Sequence, residues 1–547
     1  MTHAVRSHGF TALGPLHEAF ARLTGWPAVI TSLLLGAFSS VAFAPFHFSA
    51  VLVISFTCLI WMLDGARGHR KWGKAVFLRT WAFGAGFFLI SMHWTAAPFL
   101  VEPEKHAIFL WMPLILLPGG MALIWGAFGA MAGAFWSSSP SRIFIFALFF
   151  ALAEYVRGHL FGGFPWNLPG TTWIPGGALS QTASIGGVYW LTLVTVFIMS
   201  APAALVDTRE SRQLAVRIAP VFAAVILLAL GWTWGAQRIA QPSAQSDQFV
   251  VLMDSGVPQN EKWEIGPDPI LIEYLRMLST QEGEAGDIIL WPEGALPTTL
   301  LQDANALDAV GAYLGPRELI AGTTRYEITG KNTRDYYNSL TVIDENAIRS
   351  GPVALYDKHR LVPFGELPAT RIIPFGEALS GILPGAIQRM ASDGFRPGPG
   401  PAVIYADDIP PFVAMICYEG LYPSIPRNAN LGARADWLVL ISNDAWFGGG
   451  MGPAQHYAQN RYRSIETGLP MARVASRGAS AIVDGLGREV LRAAPVADAP
   501  SGWSTSFGRG RLPLPESVTL FQTRIGVMLF WLSLFLFAGL AFLTWRR

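Results

Sequence analysis

Eight apolar stretches constrain this chain more than any other feature. Seven lie before residue 236, near 25–45, 48–63, 77–101, 108–136, 143–160, 184–206 and 217–235, and one closes the chain at 525–545. Between the seventh and the eighth runs a long, mostly polar segment, so a polar domain is held against a membrane by both its ends. With 52% hydrophobic and only 14% charged residues, the 547-residue chain is too apolar for an ordinary soluble enzyme. A net charge of +1 argues against a general nucleic-acid binder, which needs a basic face. Twenty tryptophans suit a protein with many rings at a headgroup interface.

Loop charge predicts the orientation. Arg67, Arg70, Lys71 and Lys74 follow the second stretch, Arg142 follows the fourth, and Arg209, Arg212 and Arg217 follow the sixth. The loops after the first and third offer only Lys105. With Arg6, Arg22, Arg546 and Arg547, the positive-inside rule puts both termini in the cytoplasm, and seven crossings deliver 236–524 to the other face, the periplasm of a bacterium. Ala42-Phe43-Ala44 resembles a signal-peptidase site, but Pro45 follows directly, so the first stretch is expected to stay as an anchor. Glu154 and Arg157 stand three apart on one helical face, beside Gly163-Phe164-Pro165-Trp166. They fit an ion pair locking helices or a role in lipid binding, and His93 reads as a packing residue.

From about 248 the pattern changes to short β-rich runs: 249–253, 287–291, 319–323, 353–356, 413–416, 437–442 and 479–484. Segments 268–281 and 454–468 between them read as helices. Alternating strands and helices predict a layered α/β domain with sites at strand ends. The expected organisation is a membrane bundle of about seven helices over 1–236, an α/β domain over 248–515 and a C-terminal transmembrane helix over 525–545.

Three candidates sit at such ends. Glu293 follows Trp291, Lys358 follows Tyr356 and Cys417 follows Ile416. The chain has two cysteines, and Cys58 lies inside an apolar stretch, so Cys417 reads as a free thiol. A thiol attacks only as thiolate and needs a proton acceptor, which Glu293 offers, while Lys358 offers positive charge to an oxyanion. That set suits acyl transfer through a thioester. Each also has a plainer reading: Cys417 as a small core residue, Glu293 as a helix cap, and Lys358 in a solvated basic run.

Trp291-Pro292-Glu293, Tyr356-Asp357-Lys358-His359-Arg360-Leu361-Val362-Pro363-Phe364-Gly365-Glu366 and Ile416-Cys417-Tyr418-Glu419 resemble the ordered Glu, Lys and Cys motifs of the nitrilase superfamily. Together with the apolar stretches, Ser442-Asn443-Asp444-Ala445-Trp446-Phe447-Gly448 and Gly163-Phe164-Pro165-Trp166, the chain resembles the bacterial apolipoprotein N-acyltransferases. The resemblance implies an αββα nitrilase-like domain on a bundle of eight helices, with Cys417 as nucleophile, Glu293 as general base and Lys358 as oxyanion stabiliser. It further implies that Glu366 supports the triad, that Tyr418 and Glu419 shape the site, and that Trp263 lies on a loop near the entrance. Asn338 matches another family position. A second Pro-Phe-Gly-Glu at 374–377 competes with Glu366, which is preferred for its register after Lys358. Ser476 stands where such enzymes commonly carry Asn.

The implied reaction moves an acyl chain from a membrane phospholipid onto Cys417 and then to the α-amine of a diacylglyceryl-cysteine at a lipoprotein N-terminus, without metal or cofactor. A membrane-anchored amidase using water as acceptor is the alternative, and a transporter or receptor is a third class disfavoured by the lack of an inverted repeat. Apolar residues in 361–385 are expected either to line a lipid-facing rim or to pack on the spans.

Overall fold

The structure, a computed structural model, describes residues 8–9, 13–67, 71–137, 139–207, 214–280, 284, 286–330, 333–346, 350–363, 365–367, 394–431, 433–497, 499 and 501–546. The basic residues Arg6, Arg70, Arg209 and Arg212, the second Pro-Phe-Gly-Glu and most of the 361–385 segment lie outside these residues.

The apolar part forms helices α1 (Gly14–Ala21), α2 (Gly25–Ser39), α3 (Val51–Ala66), α4 (Trp72–Ser91), α5 (Leu117–Ala134), α6 (Ser141–Arg157), α7 (Ala183–Ser200) and α8 (Leu214–Ile239). Among the described residues six helices, including the C-terminal one, are long and apolar enough to cross a membrane; α3 and α6 are shorter. Phe222, Val225 and Leu230 on α8 are exposed, the surface expected of a helix wetted by lipid rather than water. The third and fourth spans depart from the expected bounds. Long regular helix ends at Ser91 and resumes at Leu117, with short 3₁₀ and π turns and a four-residue α-helix, Pro103–His106, between, because Pro98 and Pro113 each remove a backbone donor from a ladder that hydropathy alone reads as continuous.

The polar part holds two sheets. In chain order the strands are β1 (Gln245–Asp254), β2 (Ile288–Leu290), β3 (Glu318–Gly330), β4 (Thr333–Ile343), β5 (Ala354–Asp357), β6 (Val403–Ala406), β7 (Ile409–Ile416), β8 (Trp437–Asn443), β9 (Met471–Ser476), β10 (Ala481–Val483), β11 (Glu489–Arg492), β12 (Ala494–Pro495) and β13 (Ser506–Pro513). One sheet has the order β12-β13-β1-β2-β3-β4-β5 and the other β11-β10-β9-β8-β7-β6. β1–β2–β3 and β7–β8–β9 run parallel, so their C-terminal ends lie side by side within each sheet.

Alternation along the strands explains the layers. Val250 and Leu252 of β1 meet Phe412, Ala414 and Ile416 of β7 in the core between the sheets. Val251 and Met253 face the other way, against α9 (Pro267–Thr280) and α10 (Ala304–Leu314) through Tyr274, Met277, Val310 and Leu314. Val413 and Met415 belong to a core that runs on into the membrane helices, beside Tyr457 of α11 (Met451–Thr467). The result is an αββα sandwich whose second sheet is joined through α11 to the bundle. The chain ends in α12 (Arg524–Arg546), which packs against α6 and α7, with Phe537 edge-on to Phe144 and Phe197.

Candidate active site

Three strand ends bring the candidate side chains together. Glu293 lies just beyond β2, in a loop that runs against β3. Gly322 makes this possible, since a Cβ there would lie 2.5 Å from both Glu293 Cα and Pro292 O. Lys358 follows β5, its N–H donating to Asn338 O at 2.8 Å and so extending the β4–β5 ladder by one bond. Cys417 follows β7 with φ +50, a left-handed conformation rare for a residue with a Cβ, and opens the 3₁₀ turn Cys417–Leu421. Both cysteines are free and buried.

The polar contacts are closely knit. Lys358 Nζ donates to Glu366 Oε1 at 2.9 Å and to Glu293 Oε1 at 3.3 Å. Asn338 Nδ2 donates to the same two oxygens at 2.9 and 2.7 Å, so an amide and an ammonium together hold two carboxylates side by side. Glu293 Oε2 accepts from Asn443 N at 2.9 Å, which ties it to the end of β8 in the opposite sheet. Glu366 Oε2 accepts from Val362 N at 2.9 Å, which closes the turn after Lys358. Glu419 is fully buried and serves as a clip. It accepts from Ile416 N, His359 N and Arg360 N at 2.9, 2.9 and 3.0 Å and from Tyr356 OH at 2.9 Å, thereby joining the end of the cysteine strand to the end of the lysine strand.

Electrostatics follow from burial. Burial, with the Glu293 carboxylate adding to it, pushes the Cys417 thiol well above its usual pKa, against opposing pulls from Lys358 and a hydrogen bond with Ser442. Burial alone would depress Lys358, but Glu293 and Glu366, then Cys417, override it and hold the ammonium charged. The resting pocket therefore keeps a neutral thiol beside a fixed cation.

Trp263 is exposed, on the short helix Lys262–Ile265 rather than in a loop. Its neighbour Lys262 is buried and donates to Gly294 O, the residue after Glu293. Burial lowers Lys262 to about 8, opposed by Asp254 and Glu293. Lys262 was not legible in the sequence, because a lysine between Glu261 and Trp263 carries no mark of burial. Ser476 is buried at the end of β9 and hydrogen-bonds Asp254, so the position keeps a polar contact. Among the described residues, no group of three or more His, Cys, Asp or Glu side chains is arranged to hold a metal ion.

The membrane part reaches into this site through the loop after α6. Gly163 O accepts from Tyr418 OH and from Tyr422 OH, the latter at 2.9 Å, and Gly162 O accepts from Arg360 Nη2 at 2.9 Å. Gly163 has φ +73, and a Cβ there would meet Gly158 O at 2.1 Å. Behind the loop, Arg157 forms a bidentate pair with Glu154 at 2.8 and 2.5 Å and donates Nη1 to Phe164 O. Glu154 also accepts from Trp125 Nε1 at 2.7 Å. The pair is buried and satisfied within protein, which supports the lock over lipid binding. From the other side, α11 offers residues at helical spacing: Gln455 accepts from Trp166 Nε1, Gln459 from Asn167 N and Glu466 from Val188 N, at 2.7, 2.8 and 2.8 Å.

Two family profiles match the chain: the apolipoprotein N-acyltransferase N-terminal domain over residues 35–201 and the carbon-nitrogen hydrolase over 279–497. The chain is 35% identical over 477 residues to an apolipoprotein N-acyltransferase of Caulobacter vibrioides, covering 85% of this chain and 86% of that one. It is 32% identical over 481 residues to the protein of that name in Rhodopseudomonas palustris, covering 85% and 87%. Among solved structures it is similar to an amidase of the nitrilase superfamily from Nesterenkonia AN1, at 15% identity and a TM-score of 0.32, covering 53% of this chain and 98% of that one.

Proposed function

Because this chain belongs to the apolipoprotein N-acyltransferases, bacterial inner-membrane acyltransferases of lipoprotein maturation with a carbon-nitrogen hydrolase domain, we propose that Cys417, Glu293 and Lys358 carry the transfer. The donor is a membrane phospholipid and the acceptor the α-amine of a diacylglyceryl-cysteine. Both termini lie in the cytoplasm and the α/β domain in the periplasm. What carries this reading is one observation: a buried lysine bonded to two carboxylates, one of them Glu293, at a strand end that Glu419 clips to the end of the cysteine strand.

In the first half-reaction the Cys417 S–H proton passes to Glu293 as sulfur attacks the ester carbonyl. Because burial disfavours the thiolate at rest, the thiol needs Glu293 as its proton acceptor. Lys358 Nζ and backbone N–H groups hold the oxyanion. The ester C–O bond breaks, the lysophospholipid oxygen takes the proton back, and an acyl thioester remains. In the second half the lipoprotein amine attacks the thioester and gives its proton to Glu293. The C–S bond then breaks, the amide leaves and the thiol is reprotonated. Glu366 and Asn338 fix Glu293 and Lys358 relative to each other through both half-reactions.

The bilayer attachment has an energetic reason. A chain of about fifteen methylenes costs on the order of 12 kcal/mol to bring into water, so the site has to meet its donor at the membrane. Incubation with labelled phospholipid and a diacylated lipopeptide tests the reading: label on Cys417 that passes to the lipopeptide amine is expected. Release of free fatty acid alone assigns hydrolysis instead, and undiminished transfer by Cys417→Ala removes the nucleophile.

A further inference from the structure

Directly behind Cys417 lies a polar cluster with no part in the proton transfers above. His456 of α11, Asp444 after β8, Arg473 of β9 and Ser442 of β8 are all buried. His456 Nε2 lies 3.3 Å from the Cys417 carbonyl oxygen and Nδ1 lies 3.0 Å from Asp444 Oδ1. Asp444 is the hub: it also accepts from Ser442 Oγ at 2.7 Å and from Arg473 Nη2 at 2.8 Å. Arg473 is held in turn by Asn460 Oδ1 at 2.9 Å and by Ala479 O. Burial opposes ionisation of Asp444, but Arg473 and His456 outweigh it and hold the carboxyl well below the usual range. The imidazole cannot swing away, because Trp166 stacks on it at 5.8 Å and 17° while Phe447 meets it edge-on at 5.2 Å.

A carbonyl oxygen only accepts, so Nε2 carries a proton whichever partner Nδ1 takes, Asp444 or the Arg473 guanidinium at 3.2 Å. The C=O and N–H of one peptide unit point in opposite directions. Fixing the Cys417 carbonyl therefore fixes the direction of the Tyr418 N–H, within a turn whose first residue is held in the left-handed region. Ser442, oriented by the same carboxylate, contacts the thiol itself. Asp444 thus governs both ends of the nucleophilic residue.

We propose that His456 is a positioning residue for acyl transfer: held by Asp444 and Arg473, it sets the Cys417–Tyr418 peptide plane so that the thiol and the Tyr418 N–H meet the ester carbonyl in register. The inference rests on Cys417 being the nucleophile. His456→Phe keeps the ring between Trp166 and Phe447 and removes the Nε2 donor together with the Nδ1 contact to Asp444, whereas His456→Gln restores an N–H at comparable reach. In single-turnover reactions with labelled phospholipid, H456F is expected to form the Cys417 thioester about 10- to 100-fold more slowly, the scale of a misplaced reacting group. The half-saturating donor concentration stays unchanged, and H456Q recovers most of the rate. Equal thioester rates in H456F and the parent, per folded enzyme, overturn the inference, as does a loss that H456Q shares in full. Where H456F does not fold, H456Q against His456→Asn decides, because the shorter amide falls short of the carbonyl: a faster H456Q supports the role and equal rates refute it. A parent enzyme that never acylates Cys417 refutes the nucleophile reading rather than this one.

Discussion

Replacing Arg157 tests how the bundle sets the active site. Both members of the Glu154–Arg157 pair are buried, with side chains 0% and 1% exposed, and the guanidinium also holds the Phe164 carbonyl and lies over the Phe88 ring at 5.3 Å. In Arg157→Met, Glu154 keeps only the Trp125 indole as a donor among the contacts described. Stranding one charge of a buried pair costs about 3–5 kcal/mol, whereas neutralising both leaves chiefly the lost bond to Phe164 O, on the order of 1.5–3 kcal/mol. Arg157→Met alone is therefore expected to melt lower than the double variant Glu154→Gln/Arg157→Met. Thermal unfolding of the parent, the two singles and the double in one detergent closes the cycle. Because Phe164 is next to the carbonyls that receive Tyr418 and Tyr422, both variants are also expected to acylate Cys417 more slowly at matched folded fraction. A double variant whose melting loss equals the sum of the singles refutes the coupling, and a full acylation rate in Arg157→Met refutes the link from loop to nucleophile.

Two further outcomes follow from the site. The raised Cys417 pKa predicts that alkylation by iodoacetamide climbs with pH through 9 without a plateau near neutrality; Glu293→Gln removes a charge that opposes the thiolate and shifts the curve to lower pH, while Lys358→Met shifts it higher, and the opposite order of shifts contradicts the electrostatic account. Asp444 is ionised in the folded protein at a pH where the unfolded chain is already protonated, so its contribution to stability is full above the ordinary carboxylate range and is lost as pH falls below it; Asp444→Asn is expected to flatten that acid-side loss in thermal melts, and an unchanged slope counts against the burial-and-pairing argument.

Much of this site is legible in the sequence because acid, base and nucleophile motifs stand next to strands that hydropathy betrays: Asp287 to Trp291, Val353 to Tyr356 and Val413 to Ile416 are apolar runs that end where the chemistry begins. Strands β4, β6, β9, β11, β12 and β13 were not legible. The first half of β4 is exposed and polar, β9 contains the buried Arg473, and β13 carries Arg509 and Arg511, so none of these three shows a clean apolar run, while β6, β11 and β12 are only two to four residues long. The αββα layering followed from the resemblance, since periodicity marks the strands but cannot say which sheet each joins. The Asp444–His456–Arg473 cluster was hidden for another reason. Its members sit on three elements, and only the fold reveals that a helix histidine faces a strand-end carboxylate behind Cys417. Asn338 was found by motif, but its bridging of Glu293 and Glu366 depends on the β4–β5 register.

The most direct test is intact mass measurement of the protein after exposure to phospholipid in membranes, followed by addition of a diacylated lipopeptide. The account predicts one added acyl group mapped to Cys417, labile to hydroxylamine, that vanishes as the lipopeptide gains the same mass at its α-amine. An unmodified Cys417 during active transfer, or an acyl group that leaves only as free acid, contradicts it.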